Sequence, residues 1–171
     1  RDSPKGIDSL FYGPLEFGTA GLRGTMYVGL HNMNIHVIRW ATQGFADVIA
    51  AEGEEGKQRG VAICMDCRNH SEEFARAAAE VCAANGIHVR IFESLRPTPE
   101  LSFAVRHYGC QAGINITASH NPKEYNGYKV YWSDGAQLPP HHADAIAKEL
   151  EKIDIFTGVK TMPFDEAKAA G

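Results

Sequence analysis

The sequence predicts an α/β fold, a three-layer α/β/α sandwich around a mixed, mostly parallel sheet. Short apolar runs that suit strands alternate with segments whose apolar residues recur every three or four positions, as in amphipathic helices. Strands that are joined through helices favour parallel pairing. With 171 residues, of which 44% are hydrophobic and 22% charged, the chain suits one domain with its own core.

The first segment is rich in glycine and proline instead of patterned apolar residues. Two prolines and two glycines predict an extended lead-in over residues 1–14. The stretch from residue 18 to residue 24 has three glycines in seven positions, and this density predicts an irregular loop.

The middle of the chain alternates helices and strands. From Asn34 the apolar residues recur at helical spacing and predict an amphipathic helix that ends before Gly53. Residues 61–65 form a short apolar run typical of a strand. Ser71 then predicts the N-cap of a second helix, which has acidic residues in its first turn and ends at Asn85-Gly86.

The second half continues this alternation around one loop. Residues 87–92 predict a strand, Pro99 opens a short helix through His107, and residues 111–116 predict the strand that leads into the loop. Residues 128–132 return from the loop over too short a connection for parallel pairing. We therefore expect one antiparallel strand at the edge of the sheet.

The chain ends in a helix and a tail. Two prolines at 139 and 140 precede a last helix, whose apolar face consists of Ala143, Ile146, Ala147 and Leu150. Residues 156–171 are expected to be a weakly structured tail or the start of an interdomain linker. The predicted domain spans residues 15–155. Because the sequence begins at Arg1, we also expect it to be cut from a longer protein whose later domains are absent.

Charge and composition exclude several classes of function. The formal net charge of −4, without a block of lysine or arginine, argues against nucleic acid as a partner. No signal peptide and no apolar run of about 18 residues is present, so we expect no membrane partner and a cytoplasmic location. Cys64 and Cys67 have C-x-x-C spacing, but no second pair completes a zinc site.

The residues most indicative of function lie at 113–122. An apolar run ends there in small and polar residues that present one hydroxyl, that of Ser119. Pro122 cannot donate to a sheet, so the chain leaves the sheet before it, and Ser119 lies beyond the C-terminal end of a strand, where open α/β sheets place ligands. Together with His120 and Lys129, the serine has the groups of a phosphoryl-transfer site.

A hydrolase site fits these residues poorly. Ser119 is not in a G-x-S-x-G turn, and the side chain of a histidine next in sequence is expected to point away from the serine unless the turn is unusual. Phosphoryl transfer is therefore the preferred chemistry.

Two motifs resemble one family in the same order. Residues 117–122 (Thr-Ala-Ser-His-Asn-Pro), followed by residues 126–129 (Asn-Gly-Tyr-Lys), resemble the phosphoserine loop of the α-D-phosphohexomutases, the phosphoglucomutase and phosphomannomutase superfamily. Residues 17–24 (Phe-Gly-Thr-Ala-Gly-Leu-Arg-Gly) resemble that family's N-terminal substrate loop. Residues 66–71 and 97–99 match weaker signatures of the family.

The resemblance implies the N-terminal domain of an isomerase that moves phosphate between O1 and O6 of a sugar through a bisphosphate intermediate. It implies a phosphosugar substrate, a sugar 1,6-bisphosphate activator, and Mg²⁺ bound through the phosphoserine and an aspartate-rich loop of a second domain. No such aspartate-rich loop occurs in this sequence. We therefore expect the chain to be inactive without the remaining domains of its polypeptide.

The resemblance also implies roles for individual residues. Ser119 would carry the phosphoryl group and bind the metal through its phosphate, and Lys129 would act as general acid and base. Arg23 would contact the phosphoryl group, as a guanidinium binds phosphate oxygens in a bidentate fork. His120 would either hydrogen-bond to phosphoserine or substrate, or only shape the loop. The implied substrate- and phosphate-binding residues are Thr19, Arg23, Ser119, His120, Asn121 and Lys129.

Several alternatives stay open from the sequence alone. The motifs resemble the phosphoglucomutase and phosphopentomutase branch, so a phosphopentomutase, a sugar-bisphosphate synthase or a non-catalytic phosphosugar-binding paralogue are alternatives. Arg68 suits either an anion site before a helix or an ion pair with Asp66. Asn121 and Asn126 are expected to cap turns.

Overall fold

The structure, a computed structural model, describes residues 4–19 and 21–170. The elements in chain order are helix α1 (Pro4–Phe11), strand β1 (Leu22–Thr25), helix α2 (Ile35–Ala51), helix α3 (Glu54–Arg59), strand β2 (Val61–Met65), helix α4 (Ser71–Ala84), strand β3 (Val89–Ile91), helix α5 (Thr98–His107), strand β4 (Ala112–Ile116), strand β5 (Tyr125–Trp132), helix α6 (Pro140–Leu150) and helix α7 (Phe164–Ala170). No helix in these ranges is both long and apolar enough to span a membrane.

The strands form one five-stranded sheet in the order β1-β5-β4-β2-β3. Strands β4, β2 and β3 are parallel, and β5 is antiparallel to both of its neighbours, β4 and β1. All strands except β5 therefore run in one direction, which confirms the mixed, mostly parallel sheet. The antiparallel strand is not at the edge as predicted, because β1 lies outside it.

Helices cover both faces of the sheet and complete the three layers. Side chains of alternate strand residues pack with α2, α4 and α6 on one face, in a core whose largest members include Phe45, Ile114 and Tyr128. The smaller core on the other face lies under α5 and consists of Ala62, Cys64, Leu101, Ala104, Val105, Cys110 and Tyr131. The three-layer α/β/α prediction is confirmed.

Most helices and strands agree with the sequence prediction. Helix α2 begins where predicted, because the side-chain oxygen of Asn34 accepts hydrogen bonds from the amides of His36 and Val37. Strand β5 begins three residues earlier than the predicted strand at 128, and β3 is shorter than the predicted 87–92. Helix α3, rich in charge and only six residues long, was not predicted.

The N-terminal segment differs most from the prediction. The lead-in was expected to be extended, but residues 4–11 form α1, and residues 1–3 lie outside the described part of the chain. The carbonyl of Leu10 at the end of α1 accepts a 2.9 Å hydrogen bond from the amide of Leu30, which holds the helix against the following loop. Part of the glycine-rich loop is not irregular, because it forms β1 by pairing with β5.

The tail is also more ordered than expected. Helix α7 packs against α4, and the guanidinium of Arg76 lies 5.0 Å from the centre of the Phe164 ring. The amide of Met162 donates a 3.2 Å hydrogen bond to the carbonyl of Glu80, which attaches the segment before the helix. The expectation of a weakly structured tail is therefore wrong for residues 164–170.

We expect the chain to unfold cooperatively, because its core is built from its own helices and sheet. Replacing the fully buried Phe45 by alanine should lower the free energy of unfolding by about 3–4 kcal/mol. The control Phe103→Ala removes the same side chain from a position that is 57% exposed, and should cost about 0.5 kcal/mol or less. Urea denaturation followed by circular dichroism measures both, and equal losses would contradict this account of the core.

Candidate functional site

The central feature of the candidate site is the loop between β4 and β5, residues 117–124, here called the serine loop. Ser119 lies in this loop with a φ of +56°, in the left-handed region, and its side chain is exposed. Its amide donates a 3.0 Å hydrogen bond to the hydroxyl of Thr117, and the amide of Asn121 donates to the carbonyl of Ala118. These bonds close a tight turn with the Ser119 hydroxyl on the outside.

The turn brings His120 towards the serine, which the sequence allowed only for an unusual turn. Nδ1 of His120 lies 3.4 Å from Oγ of Ser119. The left-handed backbone of Ser119 is the physical reason, because it turns consecutive side chains to the same side where an extended backbone would separate them. The turn is thus of the unusual kind in which adjacent residues can act on one group.

Arg23 reaches the serine loop from the neighbouring strand. It lies in β1 opposite Gly127 of β5, and its Nη1 donates a 3.2 Å hydrogen bond to the side-chain oxygen of Asn121. A Cβ at Gly127 would lie only 2.5 Å from the carbonyl oxygen of Thr117, so this position requires glycine. The missing side chain lets the backbone of Thr117, at the start of the loop, lie close against β5.

Lys129 lies on the same face of the sheet as Arg23. Their neighbours Leu22, Tyr128 and Val130 belong to the core under α2 and α4, so Arg23 and Lys129 face the α5 side. The two cations are diagonal neighbours across β1 and β5, a position that separates Cα atoms by about 7–8 Å. The Lys129 side chain is half-buried and has no hydrogen-bond or ion-pair partner among the described residues.

Thr19 has no hydrogen bond to the serine loop among the described residues. It is exposed in a turn that is closed by a 2.7 Å hydrogen bond from the amide of Gly21 to the carbonyl of Gly18. Gly21 has a φ of +75°, and a Cβ there would collide with the carbonyl of Tyr128. The structure therefore brings together Ser119, His120, Asn121 and Arg23, whereas Lys129 and Thr19 have no hydrogen bond to Ser119.

Arg68, for which the sequence allowed either an anion site or an ion pair with Asp66, holds the serine loop in place. Its side chain is only 12% exposed, and Nε lies 3.4 Å from the Asp66 carboxylate. Its guanidinium donates four hydrogen bonds of 2.7–3.0 Å to backbone carbonyls of Ser119, Asn121, Pro122 and Tyr125. All of these acceptors lie in the loop or at the start of β5. No sequence pattern indicates this role, because the carbonyls are more than fifty positions away in the chain.

A series of hydrogen-bonded polar side chains connects Arg68 to β5. Asp66 accepts a 3.0 Å hydrogen bond from the hydroxyl of Ser71, and that hydroxyl accepts one from the side-chain amide of Asn126. Ser71 is therefore not the N-cap of α4 as predicted, since His70 occupies that position with a φ of +62°. Asn126 accepts from the amide of Gly127, but it also donates to the carbonyl of Asn69, so it links two loops and does more than cap a turn.

Neither the cysteines nor the carboxylates form a metal centre within the described ranges. No group of three or more histidine, cysteine, aspartate or glutamate side chains there is suited to hold an ion. Burial raises the pKa of the Cys64 thiol to about 11, and this thiol donates to the carbonyl of Arg96, whereas Cys67 is exposed. A divalent cation at Ser119 would need most of its oxygen ligands from elsewhere.

Comparison with known proteins gives consistent matches. The family model described as "Phosphoglucomutase/phosphomannomutase, alpha/beta/alpha domain I" matches residues 14–155. A phosphopentomutase from Homo sapiens is 44% identical over 144 residues, which cover 81% of this chain and 24% of that protein. A phosphoglucomutase from Staphylococcus saprophyticus is 41% identical, over 91% of this chain and 28% of that protein.

A solved structure matches in fold as well as sequence. The crystal structure of a putative phosphomannomutase from Thermus thermophilus superposes with a TM-score of 0.73 and 31% identity, over 81% of this chain and 30% of that chain. The chain thus spans about a quarter of the length of the relatives that it matches.

The left-handed backbone of Ser119 leads to a prediction about stability. Ser119→Gly should raise the free energy of unfolding by about 0.5–1 kcal/mol relative to Ser119→Ala, because glycine adopts positive φ without steric cost. At Ser102, within helix α5, the order should reverse, since glycine disfavours a helix by about 1 kcal/mol relative to alanine. Urea denaturation of the four variants tests this. Ser119→Gly less stable than Ser119→Ala would refute the left-handed turn.

The hydrogen bonds of Arg68 lead to a second prediction. Arg68→Lys should lower the free energy of unfolding by about 2 kcal/mol and speed hydrogen exchange of the serine-loop amides, because an ammonium cannot span four carbonyls. The control Arg76→Lys changes a surface arginine that is 53% exposed, and should cost less than about 0.5 kcal/mol. An Arg68→Lys variant as stable as the control would show that the carbonyl contacts contribute nothing.

Proposed function

This chain belongs to the phosphoglucomutase/phosphomannomutase family as its α/β/α domain I, and we propose that in the complete protein it carries the transferred phosphoryl group on Ser119. The observation that supports this proposal is the exposed Ser119 hydroxyl on a left-handed turn, with His120 at 3.4 Å and the guanidinium of Arg23 bound to the same loop. A backbone in this region costs free energy, and such strain is concentrated at functional sites.

The proposed reaction transfers the phosphoryl group between Ser119 Oγ and a sugar hydroxyl. The bond from phosphorus to Ser119 Oγ breaks, a bond from phosphorus to the sugar oxygen forms, and the proton of the sugar hydroxyl passes by way of Lys129 to the leaving Ser119 Oγ. A phosphoryl group at the other end of the resulting bisphosphate then returns to Ser119, and the serine proton passes by way of Lys129 to the sugar oxygen that is released. Little of this chemistry needs a covalent catalyst beyond the serine, so positioning and charge stabilisation provide most of the rate.

Three side chains, those of Arg23, His120 and Thr19, would stabilise the phosphoserine or bind its substrate. Arg23 would exchange its neutral partner, the Asn121 side chain, for phosphate oxygens, which bind a guanidinium more strongly because they are charged. His120 would hydrogen-bond to the phosphate from the side on which it now lies near Oγ. Thr19, in its exposed turn, would contact the substrate and not the phosphoserine.

We further propose that the complete site needs Mg²⁺ and other domains. Within this chain the phosphate on Ser119 would supply an oxygen ligand, and the described residues offer no carboxylate cluster to complete the coordination. Since the chain spans about a quarter of its relatives, the other ligands and the sugar-selecting residues would belong to the rest of the polypeptide. The 171-residue chain alone should therefore be catalytically silent.

The identity of the sugar has two candidates. One relative is named a phosphopentomutase, at 44% identity, and another a phosphoglucomutase, at 41% identity. We propose an intramolecular phosphotransferase that acts on a sugar 1-phosphate, with pentose and hexose phosphates as the alternatives. Coupled assays of the full-length protein with ribose 1-phosphate and with glucose 1-phosphate would separate the two.

The central test is the intact mass of the full-length protein after incubation with glucose 1,6-bisphosphate. We expect a gain of one phosphoryl group, mapped by peptide sequencing to Ser119. Ser119→Ala should abolish the gain and lower turnover at least about a thousandfold, because it removes the group that carries the phosphate.

The matched control replaces a serine outside the loop. Ser102→Ala, on helix α5, should keep both the mass gain and the turnover. A wild-type protein that never gains phosphate from sugar bisphosphates, or a Ser119→Ala variant with normal turnover, would contradict the proposed role. The first of these results would favour a non-catalytic phosphosugar-binding protein.

A further inference from the structure

One buried side-chain amide on the α5 face of the sheet has an oxygen without a hydrogen bond. The side chain of Asn115, in β4, is 1% exposed, and its Nδ2 donates a 2.8 Å hydrogen bond to the hydroxyl of Thr98 at the start of α5. Its oxygen, Oδ1, has no hydrogen-bond partner among the described residues. A buried acceptor without a donor costs about 1–3 kcal/mol, so its retention calls for an explanation.

The residue directly opposite this amide is Lys129. Asn115 of β4 pairs with Lys129 of β5, and both side chains are on the α5 face, because their neighbours Ile114, Ile116 and Tyr128 pack in the other core. Cβ atoms of such directly opposed residues lie about 5 Å apart, well within the reach of a lysine side chain. The ammonium of Lys129 has no partner in the described part of the chain.

We propose that Asn115 is a positioning residue for Lys129: the ammonium, which makes no hydrogen bond to the described residues in the structure, rotates to donate one to Asn115 Oδ1. The proposal rests on the general acid and base role proposed for Lys129 above. Because Nδ2 of Asn115 donates to Thr98, Oδ1 is the atom of the amide that stays available to a donor such as the ammonium.

A neutral amide oxygen suits a lysine that must both give and take a proton. It accepts a hydrogen bond from the charged ammonium, and it can accept one from the neutral amine as well, because both carry N–H groups. In the neutral form, the bond to Asn115 orients the amine so that its lone pair is available to the sugar hydroxyl. A carboxylate in this place would instead hold the lysine in its charged form.

A double-mutant cycle in the full-length protein tests the proposal. Asn115→Leu keeps the size of the side chain and removes the acceptor. We expect kcat to fall about tenfold while KM for the sugar phosphate stays within about twofold, since the buried Asn115 cannot touch substrate. In a Lys129→Met background the same substitution should change kcat by less than about twofold, because its effect acts through the lysine.

The outcomes separate this proposal from the proposed function. If Lys129→Met keeps normal turnover, the role of Lys129 itself is wrong. If Lys129→Met is impaired and Asn115→Leu lowers kcat tenfold further in that background, Lys129 is functional but Asn115 does not act through it, and the present proposal is overturned. Unchanged turnover in Asn115→Leu overturns it as well.

A measurement without substitution at Asn115 guards against a misfolded variant. In the 171-residue chain labelled with ¹⁵N-lysine, the Lys129 ammonium signal is assigned by its loss in Lys129→Met. A hydrogen bond to a buried acceptor should slow the exchange of the Lys129 ammonium protons with water. The Lys129 signal should therefore stay visible under conditions in which exchange broadens the signal of the exposed Lys123. Equal broadening of the two signals would overturn the proposal.

Discussion

The arrangement of the candidate site depends on one guanidinium. Arg68 binds the carbonyls of Ser119, Asn121, Pro122 and Tyr125. Among the described residues outside the loop, no other side chain donates as many hydrogen bonds to it. These bonds hold the loop by its backbone and leave the serine hydroxyl exposed to solvent. They also offset the free-energy cost of the left-handed backbone at Ser119, a conformation that persists only when its surroundings hold it. Asp66 keeps the guanidinium in place by an ion pair at 3.4 Å.

The sequence predicts well what depends on local pattern. Helical spacing from Asn34, the cap at Asn34 itself, the apolar run at 61–65 and the glycine after α4 all have causes within a few residues, and each is confirmed. Strand β1 was missed because a glycine-rich segment becomes a strand only through pairing with β5, which lies about a hundred residues later. Helices α1 and α7 were missed because both depend on packing against distant segments.

In the candidate site, too, the sequence predicts the residues that are adjacent in the chain and misses the contacts between distant segments. Ser119, His120 and Asn121 are adjacent in sequence, so their motif by itself indicates a common site. Arg23 is identified only through the resemblance to a family, and the pairing of two strands brings it to the loop. The contacts of Arg68 and the free oxygen of Asn115 have no sequence signal, because each depends on atoms in other strands and loops. Patterns show which side chains carry chemistry, and tertiary contacts decide how they are held.

The edge position of β1 has a consequence for synthesis on the ribosome. Strand β1 pairs with no described strand other than β5, so Arg23 cannot take its place until residues 125–132 have left the exit tunnel. At typical translation rates the intervening hundred or so residues take roughly 5 to 20 s to make. During that interval the parallel strands β2 and β3 can pair, whereas β1 is without its partner. Strands β4 and β5, the last two strands in the chain, thus complete the sheet and bring Arg23 to the serine loop in a single step.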